Sequence, residues 1–230
     1  MTLAGKVVAI TGAFGALGSA VVRAALAEGA TVAAIDRAPE PHDRSTLGSA
    51  HIYGGVDLGD AADADRTLAT IVAQLGGLDA LVNIAGTFRW ETIGDGSLET
   101  WDFLYQTNLR TAVAASKAAL PALIERRGRI VNIGAAGAAR GELGKGAYAA
   151  SKAGVARLTE SLAEELKDRG VTVNAVLPSI IDTPANRADM PKSDFSRWVK
   201  PEQLADVIVF LLSEKASAVN GALIPVLGRV

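Results

Sequence analysis

The 230-residue chain contains no cysteine. That excludes disulfides and thiolate metal sites, and it fits a reducing compartment such as the cytoplasm. Histidine is almost as scarce. His42 and His51 stand alone, read as exposed, and point to neither a metal site nor a general base. Net charge is only -2, with no basic stripe and no cluster of aromatics with arginine, so nucleic acid is not an expected partner. No window reaches the roughly 18 uninterrupted apolar residues of a membrane span. The opening MTLAGKVVAITGAFG runs from a short apolar stretch straight into a glycine turn, without the basic start and cleavage site of a signal peptide. There is no internal repeat, and no linker rich in Gly, Ser or Pro divides the chain. A soluble, cytoplasmic protein with one domain over residues 1–230 is the expectation.

What the chain has is core material: 49% hydrophobic against 21% charged residues. Short runs rich in Val and Ile, at Lys6–Thr11, Thr31–Asp36, Leu78–Ile84, Arg129–Ile133 and Val171–Leu177, read as strands buried on both faces. His51–Val56 and Ala222–Leu227 read as two more. Between them, Leu17–Glu28, Ala61–Leu75, Leu98–Ile124, Tyr148–Asp168 and Pro201–Leu212 carry helical periodicity. Alternation of this kind predicts an α/β fold, a doubly wound parallel sheet of Rossmann type with helices on both faces. Pro178–Lys200 is the longest stretch with no assigned element, and loops of that length are often functional.

After the first strand comes Thr11-Gly12-Ala13-Phe14-Gly15-Ala16-Leu17-Gly18, opening a helix. Glycines let the backbone approach a pyrophosphate, which then sits on the free N–H groups of the helix N-terminus. A glycine-rich turn can also be purely structural. Asp36, which closes the second strand, adds weight: an acidic side chain there accepts hydrogen bonds from ribose hydroxyls and repels a 2′-phosphate. The reading is NAD (NADH) in preference to NADP. The neighbouring Arg37, able to hold such a phosphate, keeps NADP open. Tyr148 and Lys152 stand at i and i+4, on one helix face. A fixed ammonium near a phenol lowers the phenol's pKa from about 10 toward a useful range.

Taken with the glycine loop, the chain resembles the short-chain dehydrogenase/reductase family over essentially its full length. The resemblance implies an oxidoreductase with Tyr148 and Lys152 as its catalytic pair. It implies a water-anchoring role for Asn108, in Thr107-Asn108-Leu109. Asp57-Leu58 then corresponds to the adenine-contacting Asp after the third strand, and Asn83-Ile84-Ala85-Gly86 to the Asn-Asn-Ala-Gly turn after the fourth. Pro178 through Thr183 corresponds to the segment touching the nicotinamide, with Ile181 and Thr183 as contacts and Ser179 in place of a Gly. Gly12, Phe14, Gly15, Ala16, Leu17 and Gly18 complete the expected cofactor site. The family also pairs its two long helices across subunits, so a homo-oligomer, dimer or tetramer, is implied.

Two departures stand out. Ala16 occupies a position where the family usually has Gly. The family's substrate-binding serine lies 13 residues before the Tyr, and here that residue is Ala135. Either the substrate develops little oxyanion charge, or another donor substitutes, or the site is degenerate and the chain is a non-catalytic dinucleotide-binding regulator. The glycine loop and Leu177–Trp198 are similar to dihydropteridine reductase, whose group keeps the Tyr and Lys, lacks the serine and passes hydride from NADH to a quinonoid pterin. That resemblance implies a small activated carbonyl, quinonoid or pterin-like substrate under a lid at residues 178–200. Phe195 and Trp198 in that lid either stack on a flat substrate or anchor the lid to the core, and Trp90 carries the same two readings.

Overall fold

A computed structural model describes residues 1–230. Seven strands form one parallel sheet: β1 Val7–Thr11, β2 Thr31–Ile35, β3 His51–Tyr53, β4 Ala80–Asn83, β5 Arg129–Ile133, β6 Thr172–Pro178 and β7 Leu223–Val226. Their order is β3-β2-β1-β4-β5-β6-β7, so the winding reverses between β1 and β4. In register, Thr11 lies beside Ile35 on one side and Asn83 on the other. The carboxyl ends of β1, β2 and β4 therefore open at one level, where doubly wound sheets bind ligands.

Period-two alternation assigns the side chains. Val8 and Ile10 of β1 face a core shared with helices α1 (Ala16–Ala27) and α7 (Pro201–Leu212). Val7 and Ala9 face the opposite core, shared with α2 (Ala61–Leu75), α4 (Thr111–Arg126) and α5 (Gly146–Leu166). Both faces are covered, which is why the strands lack polar alternation.

The expected strands and helices are all present, with ends displaced by at most three residues, the most at His51–Val56, which ends at Tyr53. One expected helix is not continuous. Leu98–Ile124 is divided into α3 (Leu98–Leu104), a π-helical stretch at Tyr105–Arg110, and α4. The π-helix inserts wider turns into an otherwise α-helical rod, a local defect that often marks a site, and apolar periodicity gives no sign of it. The stretch from 178 to 200 also has structure. Thr183 caps the short helix α6 (Pro184–Asp189) by accepting from the Asn186 N–H, and Ile181 bridges to Val199. No helix is long and apolar enough to cross a membrane.

Candidate functional site

A cavity of about 2130 Å³ opens over the carboxyl ends of the strands, larger than the roughly 300–1,000 Å³ of common small-ligand sites. It is lined by Gly12, Phe14, Gly15, Ala16, Leu17, Gly18, Asp36, Arg37, Asp57, Leu58, Ala85, Gly86, Ala135, Tyr148, Lys152, Pro178, Ile181 and Thr183, all of them expected at the site. Four expected residues are absent from its walls: Asn83, Asn108, Phe195 and Trp198.

At the first end of the cavity, α1 begins at Gly15 with no side chain capping its leading N–H groups. Those donors and the helix dipole suit a phosphate. The turn is held close by Gly18, where a Cβ would stand 2.1 Å from the Gly12 carbonyl oxygen. Ala16 replaces the family's Gly without harm to the fold, because it is exposed at the helix start. Asp36 has a second duty that its position alone did not disclose. Its Oδ2 accepts from the Phe14 N–H at 2.9 Å and its Oδ1 from the Ala38 N–H at 3.0 Å. The carboxylate thus fixes the glycine loop while facing the cavity. Each of its oxygens has a further lone pair for a ribose hydroxyl. Asp57 accepts from the Gly59 N–H at 2.9 Å. Thr11, not anticipated, accepts from the N–H groups of Ile84 and Ala85, which ties the turn after β4 to the end of β1. Glycine turn, uncapped helix and acidic residue together fit a dinucleotide.

At the second end, Tyr148 and Lys152 project from the first turns of α5. Lys152 is 6% exposed and its Nζ donates to the Ile133 carbonyl at 2.7 Å. Gly86 makes room for it, since a Cβ there would stand 3.2 Å from that Nζ. The expected lowering of the phenol is not found. Burial pushes Tyr148 up to about 12 and Lys152 down to about 8. Both charged forms lose water, and the ammonium spends a hydrogen bond on a backbone carbonyl. The phenol is therefore held protonated at neutral pH, the state a proton donor requires.

Asn108 lies in the π-helical stretch, buried behind the cavity wall. Its Oδ1 accepts from the Thr87 N–H at 2.7 Å, and its Nδ2 donates to the Thr87 carbonyl and to Ser151 Oγ. Ser151 in turn donates to the Tyr148 carbonyl. The side chain couples the turn after β4 to the turn carrying Tyr148. Asn83 is likewise buried, its Nδ2 donating to Asn132 Oδ1 and Ser116 Oγ. It joins β4 to β5 and α4, and its Oδ1 is buried without a partner. The rings of Phe195 and Trp198 meet at 4.8 Å between centroids, tilted by 53°, with Trp198 6% exposed. Neither lines the cavity, and Trp198 is the more deeply buried of the two. Trp90 does line the cavity, as does Phe88, whose ring meets that of Tyr148 edge-on at 4.9 Å. Phe88 carried no sequence signal beyond being aromatic. His42 is exposed at the cavity rim.

Residues 6–194 match the short chain dehydrogenase family. The chain belongs to the short-chain dehydrogenases. This short-chain dehydrogenase is 35% identical to 2-(S)-hydroxypropyl-CoM dehydrogenase 3 of Xanthobacter autotrophicus, over 96% of its own length and 94% of the relative's. It is also 35% identical to the 3-oxoacyl-[acyl-carrier-protein] reductase FabG of Thermotoga maritima, over 99% and 98%. Among solved structures, the Cj0485 dehydrogenase superposes with a TM-score of 0.91 at 25% identity, covering 99% of this chain and 95% of that one. The chain is an oxidoreductase of this family, whose members bind nicotinamide dinucleotides and act on small molecules.

Proposed function

We propose that this short-chain dehydrogenase is an NAD(H)-dependent reductase of a small activated carbonyl, quinonoid or pterin-like substrate. The observation that carries the reading is one cavity holding, at one end, a glycine turn closed by Asp36 and, at the other, a protonated Tyr148 beside a buried Lys152. Asp36 favours NADH over NADPH through its free lone pairs and its charge. Reduced nicotinamide, when bound, supplies the hydride. Tyr148 delivers a proton to the substrate oxygen or nitrogen. Lys152 holds a ribose hydroxyl and supports that proton's replacement, while Asn108 fixes the turn and serves the water of the relay. Ile181 and Thr183 flank the nicotinamide, and residues 178–200 form the lid. Ala135 offers no hydroxyl to a developing oxyanion, which suits a ring that is already electron-poor. A cytoplasmic homo-oligomer completes the proposal.

The test is oxidation of NADH and NADPH by the purified protein with a quinonoid dihydropteridine, simple ketones and quinones, using wild type and Tyr148→Phe. The expected result is turnover with NADH and an activated acceptor, at least 10³-fold slower in the variant, with NADH binding unchanged. Near-normal turnover in Tyr148→Phe overturns the assignment. Nucleotide binding without hydride transfer to any acceptor favours a non-catalytic regulator, the reading that Ala135 alone supports.

A further inference from the structure

Trp90 is 58% exposed and Phe88 48% exposed, yet both line the cavity. Two exposed aromatics on one cavity wall give apolar surface of the kind that marks a ligand-binding groove. Trp90 is also not free to fold away. The Glu91 N–H donates to the Gly144 carbonyl at 2.8 Å, and Glu91 Oε1 accepts from the Ser97 N–H, so the backbone beside the indole is pinned at two points. The ring itself rests on Gly144. A Cβ at that position would stand 2.1 Å from Trp90 Cε2, and the φ of +69° is one that side chains rarely adopt. Glycine is required there by both the backbone and the indole. Two residues on, Trp101 lies 3.5 Å from where a Cβ of Gly146 would be. Two further on, Phe88 meets Tyr148 edge-on. Three aromatics thus meet alternate positions, Gly144, Gly146 and Tyr148, where the chain enters α5.

The remaining lining is mixed, with Ser179, Asn186 and Asp189 as well as the apolar Ala135, Ala136 and Met190. Ala135, Ala136 and Met190 bring neither charge nor hydroxyl, and the Lys145 ammonium is engaged by Glu142 at 2.5 Å. We infer that Trp90, seated on Gly144, is the specificity-determining residue of the substrate end, and that it selects a planar, bicyclic, electron-poor ring over an aliphatic carbonyl compound. Stacking on one fixed indole face rewards flatness and area. This deepens the proposed reductase reading and rests on it. The overall step is the one already given: a hydride from reduced nucleotide and a proton from Tyr148 reduce the ring by two electrons, and the nucleotide leaves oxidised.

The experiment compares wild type, Trp90→Ala and Trp90→Phe with a naphthoquinone and with butane-2,3-dione, under saturating NADH. The expected result is a fall of at least tenfold in the ratio of kcat/KM for naphthoquinone to that for the dione in Trp90→Ala. The fall is carried by KM, and Trp90→Phe restores most of it. An unchanged ratio overturns the inference. Binding is read separately, by displacement of a fluorescent naphthalene probe from each protein in its NADH complex. Trp90→Ala should weaken naphthoquinone at least fivefold, and equal affinities overturn the inference whether or not turnover occurs. If the wild type binds the quinone through Trp90 but transfers no hydride, the reductase reading fails and the ring-binding role of Trp90 stands.

Discussion

Gly18 and Gly144 each stand where no side chain fits, but for different partners. Gly18 is pressed against the backbone of its own turn, six residues away, and what it secures is the approach of α1 to the end of β1. Gly144 receives an indole from a segment more than fifty residues earlier in the chain, and what it secures is the face that segment turns to the cavity. The cofactor end is therefore made by main chain meeting main chain, with Asp36 fastening the loop. The substrate end is made by side chains laid onto main chain. Close backbone contacts tolerate almost no change, whereas a side chain on a glycine seat can be exchanged for another of similar shape. One end of the cavity is fixed and the other is open to variation.

The sharpest way to break this contrast is Gly18→Ala. A methyl 2.1 Å from a rigid carbonyl oxygen must push α1 off the turn, costing about 3 kcal/mol in overpacking. NADH affinity should fall more than 100-fold and Tm should drop by several degrees, as read by fluorescence titration and thermal melts. Gly15→Ala, whose methyl would meet the same oxygen at an ordinary 3.5 Å, should keep affinity within about threefold. Equal damage from both would remove the distinction. Next in size is Asp36→Ala, which should lower kcat/KM with NADH by about 10- to 100-fold and raise the NADPH-to-NADH ratio. A proportional loss for both nucleotides would mean that the carboxylate acts only by holding Phe14 and Ala38. Ala135→Ser at the open end should raise kcat/KM for simple ketones by about tenfold, since a single oxyanion donor is worth up to 10²–10³. It should leave activated rings nearly unaffected, and a uniform gain would show that this end does not discriminate by oxyanion charge.

The smallest effect is on stability. Lys152 sits at about 8 in the folded protein against an ordinary 10.5. Between those values the unfolded chain binds more protons than the native one, so stability rises with pH across that window. Tyr148, held near 12 against an ordinary 10, works the other way, and its contribution is lost as pH climbs above 10. Denaturant unfolding should show the wild type gaining about 2 kcal/mol relative to Lys152→Met between pH 7 and 9.5. A flat difference would mean that Lys152 keeps its proton throughout.

The same contrast explains what could be read before the structure. The parallel sheet, the glycine turn, Asp36 and the Tyr148–Lys152 pair are local patterns, set by period-two burial, by turn sterics and by i, i+4 spacing on one helix. Each needs only neighbours in the chain. The seat of Trp90 on Gly144, the edge contact of Phe88 with Tyr148 and the burial of Trp198 arise between distant segments, and an aromatic letter carries no record of which partner it meets. Asn83 and Asn108 show the same limit. Their positions matched a family pattern, but side-chain direction places both behind the wall, in hydrogen bonds that join secondary-structure elements. For Tyr148 the sequence shows the ammonium four residues on but not the loss of water, and burial raises the phenol.

The π-helical stretch Tyr105–Arg110 has a mechanical meaning as well. Its wider turns set the side chains that follow at a different angle from those of a continuous α-helix. Asn108 rides on it, fastened to Thr87 and to Ser151. A shift in that stretch therefore reaches the turn under Tyr148 through two hydrogen bonds, from Asn108 to Ser151 and from Ser151 to the Tyr148 carbonyl.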